Sequence, residues 1–169
     1  MTVVHLRPGA LADLPALGRV EAAAATLFPP DALPPGAASP MPTEALLACL
    51  VASLLWVAEA DGAGVVGFIA AEGREESLHI LEMDVLPSHG RQGIGTRLLR
   101  QACHVARERG YRHLTLTTFA HLPWNAPFYA RNGFREVIEF DPFPHPAVDL
   151  QRERDRGLER RVAMVRRVV

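Results

Sequence analysis

The sequence predicts a single α/β domain, residues 1–169, built on one mixed central sheet of six to seven strands flanked by helices. Three observations carry that expectation. Short β-branched and apolar runs alternate with stretches whose apolar residues recur at helical spacing. The run "SLHILEMDVLP" (77–87) is apolar on nearly every position, as a strand inside a sheet must be. A chain of 169 residues that is 49% hydrophobic and 22% charged suits one buried core.

The elements follow in order. "TVVHLR" (2–7) reads as a strand stopped by Pro8-Gly9. From Ala10 to Leu27 the positions Leu11, Leu14, Leu17 and Val20 mark a helix. "FPPDALPPGAASPMP" (28–42) holds too many prolines for either element and reads as a stiff loop. "TEALLACLVASLL" (43–55) is a second helix, with Thr43 as candidate N-cap. "LWVAEA" (55–60) and "VVGFIAAEG" (65–73) are strands around an Asp-Gly turn, and 77–87 is a third. The next helix carries the stripe Ile94, Leu98, Ala102 and Val105 and stops near Gly110. "HLTLTTF" (113–119) is a strand, "WNAPFYARNG" (124–133) a short helix closed by Gly133, and "FREVIEF" (134–140) a strand. The charged run "DLQRERDRGLERR" (149–161) reads as a solvated helix and "VAMVRRVV" (162–169) as a last strand.

Composition narrows the function. A formal net charge of -1 gives no basis for binding nucleic acid or an anionic membrane, so a cationic site must be local. Cys49 and Cys103 read as buried small hydrophobes with free thiols. The N-terminus lacks the basic start and apolar run of a signal peptide, and no apolar stretch reaches the roughly 20 residues of a membrane span. A cytoplasmic protein is the expectation.

The most informative stretch is "HGRQGIGT" (89–96), between the buried strand and the amphipathic helix. The first amides of a helix have no internal partner and carry the positive end of its dipole. Gly90, Gly93 and Gly95 allow positive φ and close backbone approach, and Arg91 and Arg97 add charge, which together make an anion site suited to a phosphate or pyrophosphate. The order Gly-x-x-Gly-x-Gly reverses the dinucleotide fingerprint, and no Gly-Lys-Ser/Thr completes a P-loop. Glu82 and Asp84 share one face of the preceding strand by alternation, where desolvation should raise a carboxylate's pKa. His79 is placed on the other face by the same counting.

The strand "MDVLP", the turn "HGRQGIGTRLL" and the downstream "NAPFYARNGF" (125–134), in that order, resemble the GCN5-related N-acetyltransferase (GNAT) family. The resemblance spans roughly residues 3–140 plus the last strand, and implies a sheet whose splayed central strands hold CoA. In the family the pattern Gln/Arg-x-x-Gly-x-Gly/Ala binds the pyrophosphate of acetyl-CoA. Gly93 and Gly95 match it, while its first position falls on Gly90, with Arg91 one place later. The resemblance therefore implies a CoA site made by Met83, Asp84, Val85, Arg91, Gln92, Gly93, Ile94, Gly95, Thr96, Asn125 and Phe128. The amide of Val85 is the candidate for the thioester carbonyl, and Asn125 is a candidate N-cap or pantetheine contact. Tyr129 is the candidate acid for the leaving thiolate, and Glu82 the candidate base ahead of His79. His121, Trp124, the loop 28–42 and "FDPFPHP" (140–146) fall on the acceptor side.

The expected function is transfer of acetyl from acetyl-CoA to the amine of a small molecule or peptide, by direct attack and with no metal. The alternatives are, from another class, a catalytically silent CoA-binding regulatory or interaction module and, third, a nucleotide-phosphate binder using the same turn. The apolar C-terminal strand suggests a homodimer.

Overall fold

The computed structural model describes residues 3–37, 39–138 and 144–168. The strands are β1 (Val4–Pro8), β2 (Leu55–Ala60), β3 (Gly64–Arg74), β4 (Ser77–Val85), β5 (His113–Phe119), β6 (Arg135–Glu136) and β7 (Arg161–Arg167). They form one seven-stranded sheet in the order β1-β2-β3-β4-β5-β7-β6. β4 and β5 are parallel and every other pair is antiparallel. The helices are α1 (Leu14–Ala25), α2 (Thr43–Val51), α3 (Ile94–Glu108), α4 (Ala126–Arg131) and α5 (Pro144–Asp155). The mixed sheet flanked by helices is as the sequence predicts.

Each face of the sheet buries its own core. α3 lays Ile94, Leu98, Ala102 and Val105, the stripe read from periodicity, against Ile69, Leu78, Ile80 and Leu116. α1 and α2 cover the opposite face through Leu17, Val20, Leu46 and Cys49, packed on Val57, Phe68 and Ala70. Phe68 and Leu17 are wholly buried, each worth about 1.5–3 kcal/mol of apolar burial. The entry to α1 is fixed by Asp13, which accepts the Ala10 amide at 2.8 Å and the two terminal guanidinium nitrogens of Arg7 at 2.7 and 2.9 Å.

Several boundaries differ from the sequence reading. α2 ends at Val51, because Ser53 adopts φ 55° and turns the chain so that Leu55 can begin β2. Thr43 is the first helical residue, with Pro42 in the cap position and no side-chain cap, so the backbone angle of Pro42 sets the start. β6 pairs over two residues only. α5 begins at Pro144, ahead of the charged run that marks it in the sequence. β7 lies between β5 and β6, so its apolar residues Ala163, Met164 and Val165 are accounted for within one chain. "FDPFPHP" lies mostly outside the described residues.

Two irregularities in β4 position everything that follows. Its pairing with β5 covers Ser77 to His79 alone, after which the two strands diverge and leave a wedge between them. Against β3, Ile80 pairs with Ala71 and Glu82 with Ala70, so Leu81 is an extra residue, a β-bulge. Cross-strand partners share a face. Leu78, Ile80, Met83 and Val85 therefore face α3, while His79, Leu81, Glu82 and Asp84 face α1. His79 thus lies on the same face as Glu82, contrary to simple alternation, because the bulge reverses the count.

Candidate active site

A cleft of about 1960 Å³ opens along the wedge between β4 and β5. One end is the turn into α3. Gly93, in the cap position, has φ 78°, and Arg91 before it has φ 60°. Gly90 is extended, at φ -63° and ψ 157°, so the positive φ expected there falls on Arg91 instead. Arg97 donates to the Gly93 carbonyl, which leaves the amides of Ile94, Gly95 and Thr96 ahead of the first helical bond and free to meet an anion. Gly95 is needed for packing: a Cβ there would stand 3.2 Å from Phe128 and 3.7 Å from Met83. A Cβ on Gly93 would meet nothing within 4 Å, so Gly93→Ala should cost only left-handed backbone strain, about 1–2 kcal/mol. A matching fall in the urea midpoint is the expected measurement.

β4 supplies the floor. Leu86 donates its amide to Val66 on the β3 side, and amides alternate along a strand. The peptide groups of Met83 and Val85, two non-bonded positions against β3, consequently face the wedge. Glu82 and Asp84 line the cleft with their side chains. Burial lifts the pKa of Glu82 to about 7, with Glu21 adding and Arg161 opposing. Burial and the charge of Glu82 lift Asp84 higher still. These two carboxyls share protons as a unit.

The opposite wall carries Tyr129, buried beside Phe128 and Phe134 at ring distances of 5.3 and 5.6 Å. Burial, and then the charges of Glu82 and Asp84, push its phenol above the ordinary range, so it stays protonated. Asn125 occupies the cap position of α4 without capping it. Its Oδ1 accepts from Thr118 at 2.8 Å, and its Nδ2 is buried in the cleft wall.

β5, β7 and α5 close the third side. Arg161 holds Glu153 through two nitrogens, each at 3.0 Å, with Thr117 donating to the same carboxylate at 2.6 Å. The Arg161 guanidinium lies 4.5 Å from the Phe119 ring centre. His79 bonds Thr115 at 2.9 Å and lies 3.6 Å from Asp149, which Arg74 also holds, so it belongs to the junction of α5 with the sheet. At the mouth, Phe28 packs against Phe119 at 5.5 Å and Trp124 at 6.2 Å.

The cleft thus gathers Glu82, Met83, Asp84, Val85, Arg91, Gly93, Ile94, Gly95, Thr96, Asn125, Phe128 and Tyr129 on its walls. Gln92 is exposed and outside the lining, and His121 is exposed beside Phe119, 6.0 Å away. Glu21 and the Arg161–Glu153 pair were not singled out from the sequence. Glu21 follows Leu14 and Leu17 on the apolar stripe of α1, so a lone acid on that stripe was the available signal.

A helix N-terminus open to anions, a wedge lined by strand peptides and a buried tyrosine are thus brought together on the walls of one cleft. The family model described as acetyltransferase (GNAT) domain matches residues 52–136. The chain belongs to the GNAT family of acetyltransferases. Three solved structures share the fold. N-acetylglutamate synthase from Neisseria gonorrhoeae, complexed with coenzyme A and N-acetyl-glutamate, is 22% identical with a TM-score of 0.74, covering 99% of this chain and 35% of that one. The present chain therefore spans about a third of that synthase. The ribosomal-protein-S18-alanine N-acetyltransferase from Escherichia coli is 19% identical with a TM-score of 0.71, covering 98% of this chain and 94% of that one. The PaiA N-acetyltransferase from Thermoplasma acidophilum, in complex with coenzyme A, is 20% identical with a TM-score of 0.70, covering 98% and 99%.

Proposed function

We propose that the protein transfers an acetyl group from acetyl-CoA to an amine by direct attack in a ternary complex. The observation that carries the reading is the presence of Glu82 and Tyr129 on the walls of one cleft whose floor exposes strand peptides. The residues present fit acetyl-CoA. The amides of Ile94, Gly95 and Thr96, with Arg91 beside them, would hold its pyrophosphate, and Gly95 keeps that approach open beside Phe128. The wedge-facing peptides of Met83 and Val85 would align the pantetheine arm, and the buried Nδ2 of Asn125 offers it a donor. Acetyl-CoA supplies the activated thioester.

The chain's groups do the rest. Glu82 accepts a proton from the incoming ammonium, leaving a neutral nucleophile. The Val85 amide polarises the carbonyl that the amine attacks. As the C–N bond forms and the C–S bond breaks, the Tyr129 hydroxyl gives its proton to sulfur and regains one from the new N–H group. Cys49 and Cys103 are buried away from the cleft with thiols pushed up by burial, which supports transfer without an acyl-enzyme.

Calorimetry tests the donor: acetyl-CoA and CoA bind, and ATP binds at least tenfold more weakly because it lacks the arm that fills the wedge. A preference for ATP, or no binding of CoA, overturns the reading. CoA release across a panel of amines tests the chemistry, and binding without release to any amine favours the silent module.

A further inference from the structure

Proton transfer at Glu82 leaves Glu21 without a role, yet Glu21 keeps a buried carboxylate oxygen with no partner at the cleft. It comes from α1, is 8% exposed, and lines the cleft opposite β4. Its Oε2 accepts the Met41 amide at 2.7 Å, while its Oε1 is buried with no partner. A buried carboxylate oxygen without a donor is costly, so a site that keeps one has a place for a donor that arrives from outside.

The surroundings say what that donor is. Burial raises the pKa of Glu21, and its charge in turn raises those of Glu82 and Asp84, so the three carboxyls lie within electrostatic reach across the cleft. Arg161, the cation that reaches Glu82, is already committed to Glu153. Among the described residues no group of three His, Cys, Asp or Glu side chains is placed to hold a metal ion, so an organic cation is the better match. Phe28 and Trp124, ring centres 6.2 Å apart at an angle of 73°, line the same cleft and offer faces to a methylene chain and an ammonium.

We infer that the acceptor is an organic dication of the size of a short α,ω-diamine, with its reacting amine at Glu82 and its second ammonium on the Oε1 of Glu21, beside Phe28 and Trp124. This rests on the acyl-transfer reading above and deepens it. The atoms balance as before: the reacting ammonium yields one proton to Glu82, its nitrogen gains the acetyl carbon as the C–S bond breaks, and the second ammonium keeps its protons throughout. Arg152 of α5 and Arg156 just beyond it also line the cleft, from exposed positions. They make an acceptor bearing a carboxylate the competing outcome.

The test measures CoA release at saturating acetyl-CoA with 1,4-diaminobutane, n-butylamine and L-glutamate. The expected kcat/KM for the diamine exceeds that for n-butylamine by about tenfold or more, the scale of one charge-assisted contact. Glu21→Gln brings that ratio to within about twofold of unity, chiefly through KM. If Glu21→Gln does not fold, Trp124→Ala at the rim carries the test and lowers the ratio about threefold. A wild-type ratio near one, a preference for L-glutamate, or a diamine preference that survives the variant overturns the inference. Release from n-butylamine with no advantage for the diamine removes the dication alone. No release from any amine removes the acyl-transfer reading, and the inference with it.

Discussion

Glu82→Gln lowers the rate of acetyl transfer by about 100-fold at pH 8 and abolishes the rise in kcat/KM that the wild type shows through pH 7. The substitution keeps the shape of the side chain and removes its ability to take a proton. Burial holds Glu82 near pKa 7, with Glu21 raising it and Arg161 and the Met83 amide lowering it. The sign follows directly. Below the pKa the carboxyl is protonated and cannot accept the ammonium proton, so the rate falls about tenfold per pH unit as pH drops below 7. Above the pKa the base is fully formed and the profile levels. Asp84 titrates higher and shares protons with Glu82, so the limb is the macroscopic property of the pair. A profile that Glu82→Gln leaves unchanged would reject Glu82 as the base.

Tyr129→Phe lowers kcat by about 100-fold while the Kd for acetyl-CoA stays within about twofold. The ring packs against Phe128 and Phe134, and the change removes one oxygen without disturbing those contacts. The phenol of the wild type stays protonated far above neutrality, because burial and the facing carboxylates Glu82 and Asp84 oppose its ionisation. The wild-type rate should therefore show no falling limb below about pH 10 from this group. Single-turnover measurement separates a lost proton donor from slowed product release. An unaltered kcat in Tyr129→Phe would mean that sulfur takes its proton from solvent.

Much of the fold was legible because its elements obey simple periods. The stripe on α3 and the apolar residues of β4 announced their positions, and the two motifs indicated which ends face each other. What stayed hidden was local geometry that leaves no periodic trace. A single extra residue, Leu81, inside an apolar run changes no composition, yet it turns His79 to the face of Glu82. The left-handed turn falls on Arg91 rather than on the neighbouring Gly90, although glycine is the usual carrier of that conformation. Glu21 was masked by its alanine-rich helix, and its meaning depends on β4 lying opposite. The Arg161–Glu153 pair joins α5 to β7 across the cleft wall, and nothing in a mixed-charge run names the partner.

The bulge at Leu81 also separates two tasks along one strand. Upstream of it, β4 is set by the packing of Leu78 and Ile80 under α3; downstream, the same strand presents acids to one face and peptide groups to the wedge. Were Leu81 instead paired regularly with Ala70, every downstream amino acid would keep its order while changing the face it serves. Glu82 and Asp84 would then be driven into the apolar layer beneath α3. The polarity of the cleft is thus stored in a count of residues rather than in their identities.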